Sequence, residues 1–235
     1  MHTLGIIPSR FASTRLPGKP LINIAGKSMI QRVYEQCKKS LLLNQLVVAT
    51  DDERIYQHVN EFGGNVIMTS TTHKSGTDRC NEIILNSNIA HDIIVNIQGD
   101  EPFINPKQID QTITNLINSE ADIATLAKKI DDIKLVFDTN TPKVIFNKKT
   151  KIAKDFVRKI LKINKDKQYY KHVGIYAFKA KVLNEISKLS QTEREMNENL
   201  EQLRWLEHNY QIAVGITDHE SPSIDTQEDL NKLLI

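Results

Sequence analysis

The sequence predicts an α/β fold built on a doubly wound, mostly parallel sheet, and three observations carry that reading. The first hundred residues hold four short, continuously apolar runs rich in β-branched residues, "TLGIIP", "QLVVAT", "NVIMTS" and "DIIVNIQ". Such runs suit strands covered on both faces of a parallel sheet. Amphipathic helical patterns lie between them, and Gly or Pro punctuates the joins. Strand alternating with helix implies right-handed crossovers and a ligand site beyond the carboxyl ends of the strands.

The elements follow in order. The first strand runs into a basic loop broken by Gly and Pro, "SRFASTRLPGKP". Ser28 then caps a helix whose Met29, Ile30, Val33, Tyr34 and Cys37 share one face. A second helix, in "DDERIYQHVNEFGG", opens at an Asp cap, buries Ile55, Val59 and Phe62, and stops at Gly63 and Gly64. A third follows Gly76, and Asn105 with Pro106 marks the start of a fourth. In the second half, "TPKVIFNKKTKIAKDF" reads as a hairpin turning at Asn147, Lys148 and Lys149. "YKHVGIYAF" reads as a further strand, alternating apolar and aromatic residues around Gly174. Helices at "KAKVLNEISKLS" and "TEREMNENLEQLRWLEHN", a strand at "YQIAVGIT" and a short helix after Asp225 complete the chain. No internal repeat or linker divides it. A single domain over 1–235 is expected, with the hairpin inserted as a lid at about 141–178.

Composition limits the function. A chain of 235 residues, 40% hydrophobic and 26% charged, is long enough to bury a sizeable core. Its net charge of +2 is too small to predict nucleic-acid or bulk membrane binding. The two cysteines, Cys37 and Cys80, fall in helical segments and read as reduced core thiols, which leaves a disulfide framework or a structural zinc site without support. The apolar run in "MHTLGIIPSR" is too short for a secretory segment, and no stretch approaches the length of a membrane span. A cytoplasmic protein is expected.

The basic loop is the first chemical signal. The first carboxylate of the chain is Glu35, so Arg10, Arg15, Lys19, Lys27 and Arg32 stand in sequence with no nearby acid. An anionic ligand is the natural complement. Guanidinium groups grip phosphate oxygens bidentately, and a Gly-bearing turn exposes backbone N–H groups to them. The loop has neither the Walker order nor the dinucleotide glycine fingerprint, so it is a different phosphate loop. The bland alternative is a solvated turn, against which stand its position after the first strand and two prolines that reduce the entropy lost on ordering.

The second signal is "VNIQGDEPFI", a strand running into Gln98, Gly99, Asp100, Glu101 and Pro102. A carboxylate at the end of a central parallel strand, beside a triphosphate, is where Mg²⁺ is expected, because that ion takes few protein carboxylates and several phosphate or water oxygens. Asp100 is the first candidate ligand; the alternative is a turn Asp bonding its own backbone. Asp225 in "SIDTQEDL" supplies a second carboxylate, or else serves the helix opened by Thr226 as a cap or charge complement.

Together, "IIPSRFASTRLPGKPL", "SGTDR", "NIQGDEP", "KHVGIYAF", "ENLEQLRWLE" and "IDTQEDL" resemble, in order and approximate spacing, the 3-deoxy-manno-octulosonate (Kdo) cytidylyltransferases, or CMP-Kdo synthetases. The first loop and "QGDEP" indicate the wider nucleotidyltransferase group, and the pairing of "HVGIY" with "LEQLR" resembles the Kdo enzymes in particular. The resemblance spans nearly the whole chain. It implies a nucleotide-diphospho-sugar transferase-like fold, and a reaction in which the anomeric hydroxyl of Kdo attacks the α-phosphate of CTP to give CMP-Kdo and pyrophosphate. It assigns Arg10, Ser13, Arg15 and Lys19 to the triphosphate, with Arg15, Lys19, Asp100 and Asp225 as the catalytic set. Ser75, Gly76 and Arg79 fall near the nucleotide, and Asp100 and Asp225 would bind Mg²⁺. Gln98, Arg158, His172, Tyr176, Glu201 and Gln202 fall to the sugar. A homodimer through the hairpin and "YYKHVGIYAF", and a role in lipopolysaccharide assembly, follow by the same analogy.

Plainer roles stand beside several of these. His172 in an alternating strand also suits a structural histidine, Glu201 and Arg204 at i,i+3 suit a surface pair, and Trp205 and Leu206 face the core. Where the family shows an aromatic-Ser-Arg-x-x-Ile-Pro stretch, this chain has "DFVRKILK", in which Val157 replaces the serine and the proline is gone. A related acid sugar such as 8-amino-Kdo is therefore the alternative acceptor. The lysine excess between Lys143 and Lys171 offers a rival reading as a non-enzymatic nucleic-acid or membrane binder, but aromatics interleave poorly with these lysines. A nucleotide-binding pseudoenzyme is opposed by the joint presence of Arg15, Lys19, Asp100 and Asp225.

Overall fold

The computed structural model describes residues 1–12, 16–160, 162–164 and 167–233. The expected triphosphate ligands Ser13 and Arg15 lie outside the described residues. The chain forms two compact units, one of Met1–Asp110 with Glu220–Ile235 and one of Gln111–His219.

In the first unit, β1 (Thr3–Ser9) leads through a 3-10 turn at Lys19–Leu21 to a small hairpin of β2 (Asn23–Ile24) and β3 (Lys27–Ser28). There follow α1 (Met29–Cys37), β4 (Gln45–Thr50), α2 (Glu53–Glu61), β5 (Val66–Met68), α3 (Gly76–Leu85), β6 (Ile93–Asn96) and α4 (Pro106–Ile117), within which the division between units falls. The strands β6, β1, β4 and β5 lie side by side in that order, all parallel. Ile6 and Ile7 of β1, Val48 of β4, and Ile94 and Val95 of β6 are fully buried, as expected of strands covered on both faces. The caps at Ser28 and Asp52 are those the sequence predicts, and a further one stands at Ser75. Ser28 accepts a hydrogen bond from Gln31 N at 3.2 Å, Asp52 accepts from Arg54 N at 3.0 Å, and Ser75 forms a reciprocal capping box with Asp78. One strand departs from expectation: β5 is an edge strand, with Ile67 and Met68 exposed rather than buried. Phe62 is only half-buried.

The second unit carries β7 (Ile123–Lys129), α5 (Ile133–Phe137), β8 (Lys143–Phe146), β9 (Ala153–Val157), β10 (Tyr170–Lys179), α6 (Ala180–Ile186), α7 (Glu193–Glu198), α8 (Gln202–Glu207) and β11 (Ile212–Ile216). The last helix, α9 (Gln227–Leu233), returns to the first unit. β7 pairs parallel with β11 and antiparallel with β10, whose register shifts between Val173 and Tyr176 around Gly174. The expected hairpin is present as β8 and β9, and Asn147 Oδ1 accepts from Lys149 N at 2.9 Å in its turn. The α/β class with a mostly parallel central sheet stands, with the antiparallel pairing supplied by β8, β9, β10 and the small β2–β3 hairpin.

Two expectations change here. The segment "TEREMNENLEQLRWLEHN" is two helices, because Asn199 adopts φ 51° and ends α7. Asn tolerates this left-handed geometry, and Leu200 is drawn into the core beside it. The lysine excess also includes a buried member. Lys143 is 1% exposed, and its Nζ donates to Asp138 O and Arg158 O at 2.6 Å each. Burial pulls its pKa down, and its charge is not part of any anion-binding surface.

Candidate active site

The acid-free sequence around the basic loop is balanced in three dimensions. Lys19 Nζ lies 2.7 Å from Asp100 Oδ2 and 3.0 Å from Asp225 Oδ1, so the predicted clamp and both predicted metal ligands meet. Lys27 pairs with Glu35 at 2.6 Å, and Arg32 donates to Ile24 O and Ala25 O. Arg10 is exposed.

Local chemistry brings Lys19 to this place. Gly18 takes φ 68°, its N–H donates to Phe11 O at 3.2 Å, and Pro20 presets the turn that Lys19 opens. A Cβ on Gly18 would sit 3.0 Å from the Phe11 ring, so only glycine suits both the angle and the contact. On the other side, Asp100 follows β6 by way of Gly99, whose added Cβ would lie 3.0 Å from Pro8 O at the end of β1. Asp225 arrives from the far end of the chain because Ile224 N donates to Asp100 O at 2.9 Å. Ile224 is also fully buried, in a cluster with Leu16, Ile24, Met29 and Leu230. Thr226 and Asp229 then bond reciprocally at the start of α9, so the helix entry has its own capping pair and Asp225 can face Lys19.

The nucleotide-side residues share the same end of the sheet. Gly76 opens α3 against β1, where an added Cβ would lie 3.3 Å from Pro8 Cγ, and Ser75 caps that helix. The helix N-terminus thus presents backbone N–H groups and a favourable dipole to an anion. Arg79 takes a supporting position rather than an open edge. It is 4% exposed, its Nη2 donates to Asp51 at 2.7 Å, and Nη1 donates to Thr69 and Ser70 O. Asp51, just beyond β4, escaped sequence reasoning because nothing local links it to Arg79. Gln98 lies between β6 and Gly99.

The second unit places His172 and Tyr176, two of the expected sugar residues, on one aromatic wall. His172 Nε2 is 3.0 Å from Thr125 Oγ1, its ring packs edge-on to Phe156, and Tyr176 lies 5.4 Å away between centroids. Burial pushes the His172 pKa down to about 3, so the imidazole is neutral at ordinary pH. Tyr176 packs on Phe178 and Trp205; burial first, then the Glu201 carboxylate, raises its pKa well above the ordinary value. Gln202 is 3% exposed, and its Nε2 has no hydrogen-bond partner among the described residues.

Arg158 is engaged with main chain. Its Nε donates to Glu198 O at 2.6 Å, Nη1 to Thr139 O and Nη2 to Asn199 O at 3.1 Å each. It thereby fastens the break between α7 and α8, with three of its five guanidinium N–H groups engaged among the described residues. Glu201 and Arg204 do pair, at 2.8 Å, but not as surface residues: Arg204 is 6% exposed and also contacts buried Glu195 at 3.2 Å. Glu195 was legible only as a capping-box residue of "TERE". Among the described residues no cluster of three or more His, Cys, Asp or Glu converges as for a protein-caged metal, and no helix is long and apolar enough to cross a membrane.

Lys19 between two carboxylates, with a helix N-terminus, beyond parallel strands marks a nucleotide-binding α/β protein of the transferase kind. The sequence model of the cytidylyltransferase family matches residues 4–212. The 3-deoxy-manno-octulosonate cytidylyltransferase of Parabacteroides distasonis is 50% identical over 100% of this chain and 97% of its own. The enzyme of that name from Cytophaga hutchinsonii is 45% identical over 97% of this chain and 94% of its own. The solved structure of CMP:2-keto-3-deoxy-manno-octonic acid synthetase complexed with CTP superposes with a TM-score of 0.93 at 36% identity, covering 100% of this chain and 97% of that one. The chain belongs to the 3-deoxy-manno-octulosonate cytidylyltransferase family, and is thus a nucleotidyltransferase.

Proposed function

We propose that the protein transfers the cytidylyl group of CTP to the anomeric hydroxyl of Kdo. The hydroxyl oxygen loses its proton and forms a bond to the α-phosphorus, the bond from the α-phosphorus to the α,β-bridging oxygen breaks, and pyrophosphate leaves. The observation that carries this reading is the meeting of Lys19 with Asp100 and Asp225 beyond the parallel strands, in a chain of this family. Such a transfer asks for alignment and charge neutralisation and needs no covalent enzyme nucleophile.

The first unit supplies the nucleotide chemistry. Lys19, with Arg10 and Arg15, would neutralise the triphosphate, Ser13 would hydrogen-bond to it, and the N–H of Gly76, at the helix start that Ser75 caps, would steady it. Arg79 would hold the 69–70 segment from behind. Asp100 and Asp225 fit Mg²⁺, because their oxygens already converge on one cationic group and a pair of carboxylates leaves coordination positions for phosphate and water. When bound, Mg²⁺ supplies charge neutralisation and acidifies an attacking hydroxyl.

His172, Tyr176, Glu201, Gln202 and Arg158 of the second unit are the proposed sugar contacts, carried by the resemblance. His172, being neutral, would act as a hydrogen-bond partner and not as a cation for the sugar carboxylate. A homodimer, on the same analogy, and a cytoplasmic setting, from the sequence's apolar pattern, complete the proposal. The deciding experiment is pyrophosphate release from CTP and Mg²⁺ with and without Kdo, repeated with UTP and with 8-amino-Kdo. Release that requires both CTP and Kdo supports the reading. Release only with the amino sugar moves the acceptor, and none with either sugar overturns it.

A further inference from the structure

Glu201 stands at the entry of α8, and its position is controlled by a chain of buried polar contacts. Arg204, one turn along, donates from Nη2 to Glu201 Oε1 at 2.8 Å. The guanidinium is held elsewhere too: Nη1 donates to Leu189 O at 2.8 Å, and Nε forms an ion-pair contact with Glu195 Oε2 at 3.2 Å without the alignment of a hydrogen bond. Glu195 is itself held. Its Oε2 accepts from Thr192 N at 3.3 Å, its own N–H donates to Thr192 Oγ1 at 3.3 Å, and Oε1 accepts from Gln191. The start of α7 therefore sets Glu195, Glu195 and Leu189 set Arg204, and Arg204 sets Glu201.

The exposure falls unevenly along this chain. The side chains of Glu195 and Arg204 are 6% and 7% exposed, while that of Glu201 is 25% exposed. Of the two carboxylates that Arg204 contacts, the one at Glu201 is the more accessible. A buried ion pair is a weak source of stability, since apolar residues of similar size serve as well or better. It is, however, an effective way to fix the direction of a third group, because the planar guanidinium fork admits one geometry.

We propose that Glu195 and Arg204 form a positioning pair that aims the Glu201 carboxylate at the hydroxyls of the acid sugar. The inference rests on the reading that Glu201 contacts the sugar. Holding the carboxylate in place before the sugar arrives removes the need to order it on binding. Neither Glu195 nor Arg204 is itself a catalytic residue.

The test uses the full-length enzyme with Mg²⁺, and steady-state pyrophosphate release at varied Kdo and varied CTP. E201Q examines the underlying reading. R204K and the apolar double variant E195M/R204M examine the inference, the double variant because it refills the buried space without a charge to aim Glu201. The expected result for R204K and for E195M/R204M is a KM for Kdo raised about tenfold, the scale of one displaced charge-assisted contact. The KM for CTP and the thermal midpoint of the double variant should stay at wild-type values. If E201Q raises the Kdo KM but the double variant behaves as wild type, the pair is purely structural and the inference fails alone. If E201Q leaves the Kdo KM unchanged, the sugar reading of Glu201 fails and takes the inference with it.

Discussion

Replacing Lys19 by Met keeps most of the aliphatic stem and removes the ammonium that bridges Asp100 and Asp225 at 2.7 and 3.0 Å. The three side chains are 14%, 23% and 31% exposed, between the surface and the interior. Exposed pairs contribute about 0–1 kcal/mol, and removing one partner of a fully buried pair costs about 3–5 kcal/mol. The intermediate burial here gives an expected loss of about 1–3 kcal/mol for K19M. The two carboxylates then face each other without the cation between them, which favours a divalent ion in its place. Free Mg²⁺ should therefore stabilise K19M by about 2.7 kcal/mol at a hundred times that variant's dissociation constant, and the wild type, whose carboxylates are bridged by Lys19, by less. The assay is urea unfolding followed by circular dichroism for both proteins, titrated with MgCl₂ and matched in ionic strength with NaCl so that screening is held constant. K19M should unfold at lower urea without Mg²⁺, and the gap should close as Mg²⁺ is added. Equal midpoints without Mg²⁺, or equal shifts with it, would refute the view that Lys19 neutralises a metal-binding carboxylate pair.

Three further outcomes are expected. D100N should keep the fold, by circular dichroism, while turnover falls about 10²-fold or more, the loss of about 3 kcal/mol of transition-state stabilisation; wild-type turnover with normal Mg²⁺ dependence would sink the assignment. His172 has a folded pKa near 3 against 6.5 when unfolded, so the unfolded chain binds the extra proton between those values. Its contribution is intact above about pH 6.5 and is lost as pH falls towards 3, at up to about 1.4 kcal/mol per unit. H172Q should flatten that part of the stability profile, and an imidazole NMR resonance titrating near 6.5 in the folded protein would contradict it. G215A should cost about 1–3 kcal/mol by overpacking, because the new Cβ would lie 1.7 Å from Asn115 Nδ2 and 2.9 Å from Leu126 Cδ2; a thermal midpoint within a degree of wild type would show that Asn115 moves aside freely.

What the sequence by itself determined is what depends on near neighbours along the chain. Apolar runs read as β1, β4 and β6, the caps at Ser28 and Asp52 act on N–H groups two or three residues ahead, and Asn147 turns the β8–β9 hairpin as its type predicts. The motifs also named Lys19, Asp100 and Asp225 as one chemistry. Only the tertiary structure decided the partnerships, since Lys19 reaches carboxylates 81 and 206 residues away, and spacing along a chain carries no record of which strand ends become neighbours. The same reason hid the work of Asp51 behind Arg79, the capture of Arg158 by main-chain carbonyls and the exposure of β5, whose apolar composition is that of an inner strand although its place is at an edge. The pair Glu201 and Arg204 shows the limit most sharply. Their i,i+3 spacing predicts contact on a helix, and they do touch, but burial beside Glu195 turns a surface pair into a fixed support, and burial is a property of the packed molecule rather than of the interval between two residues.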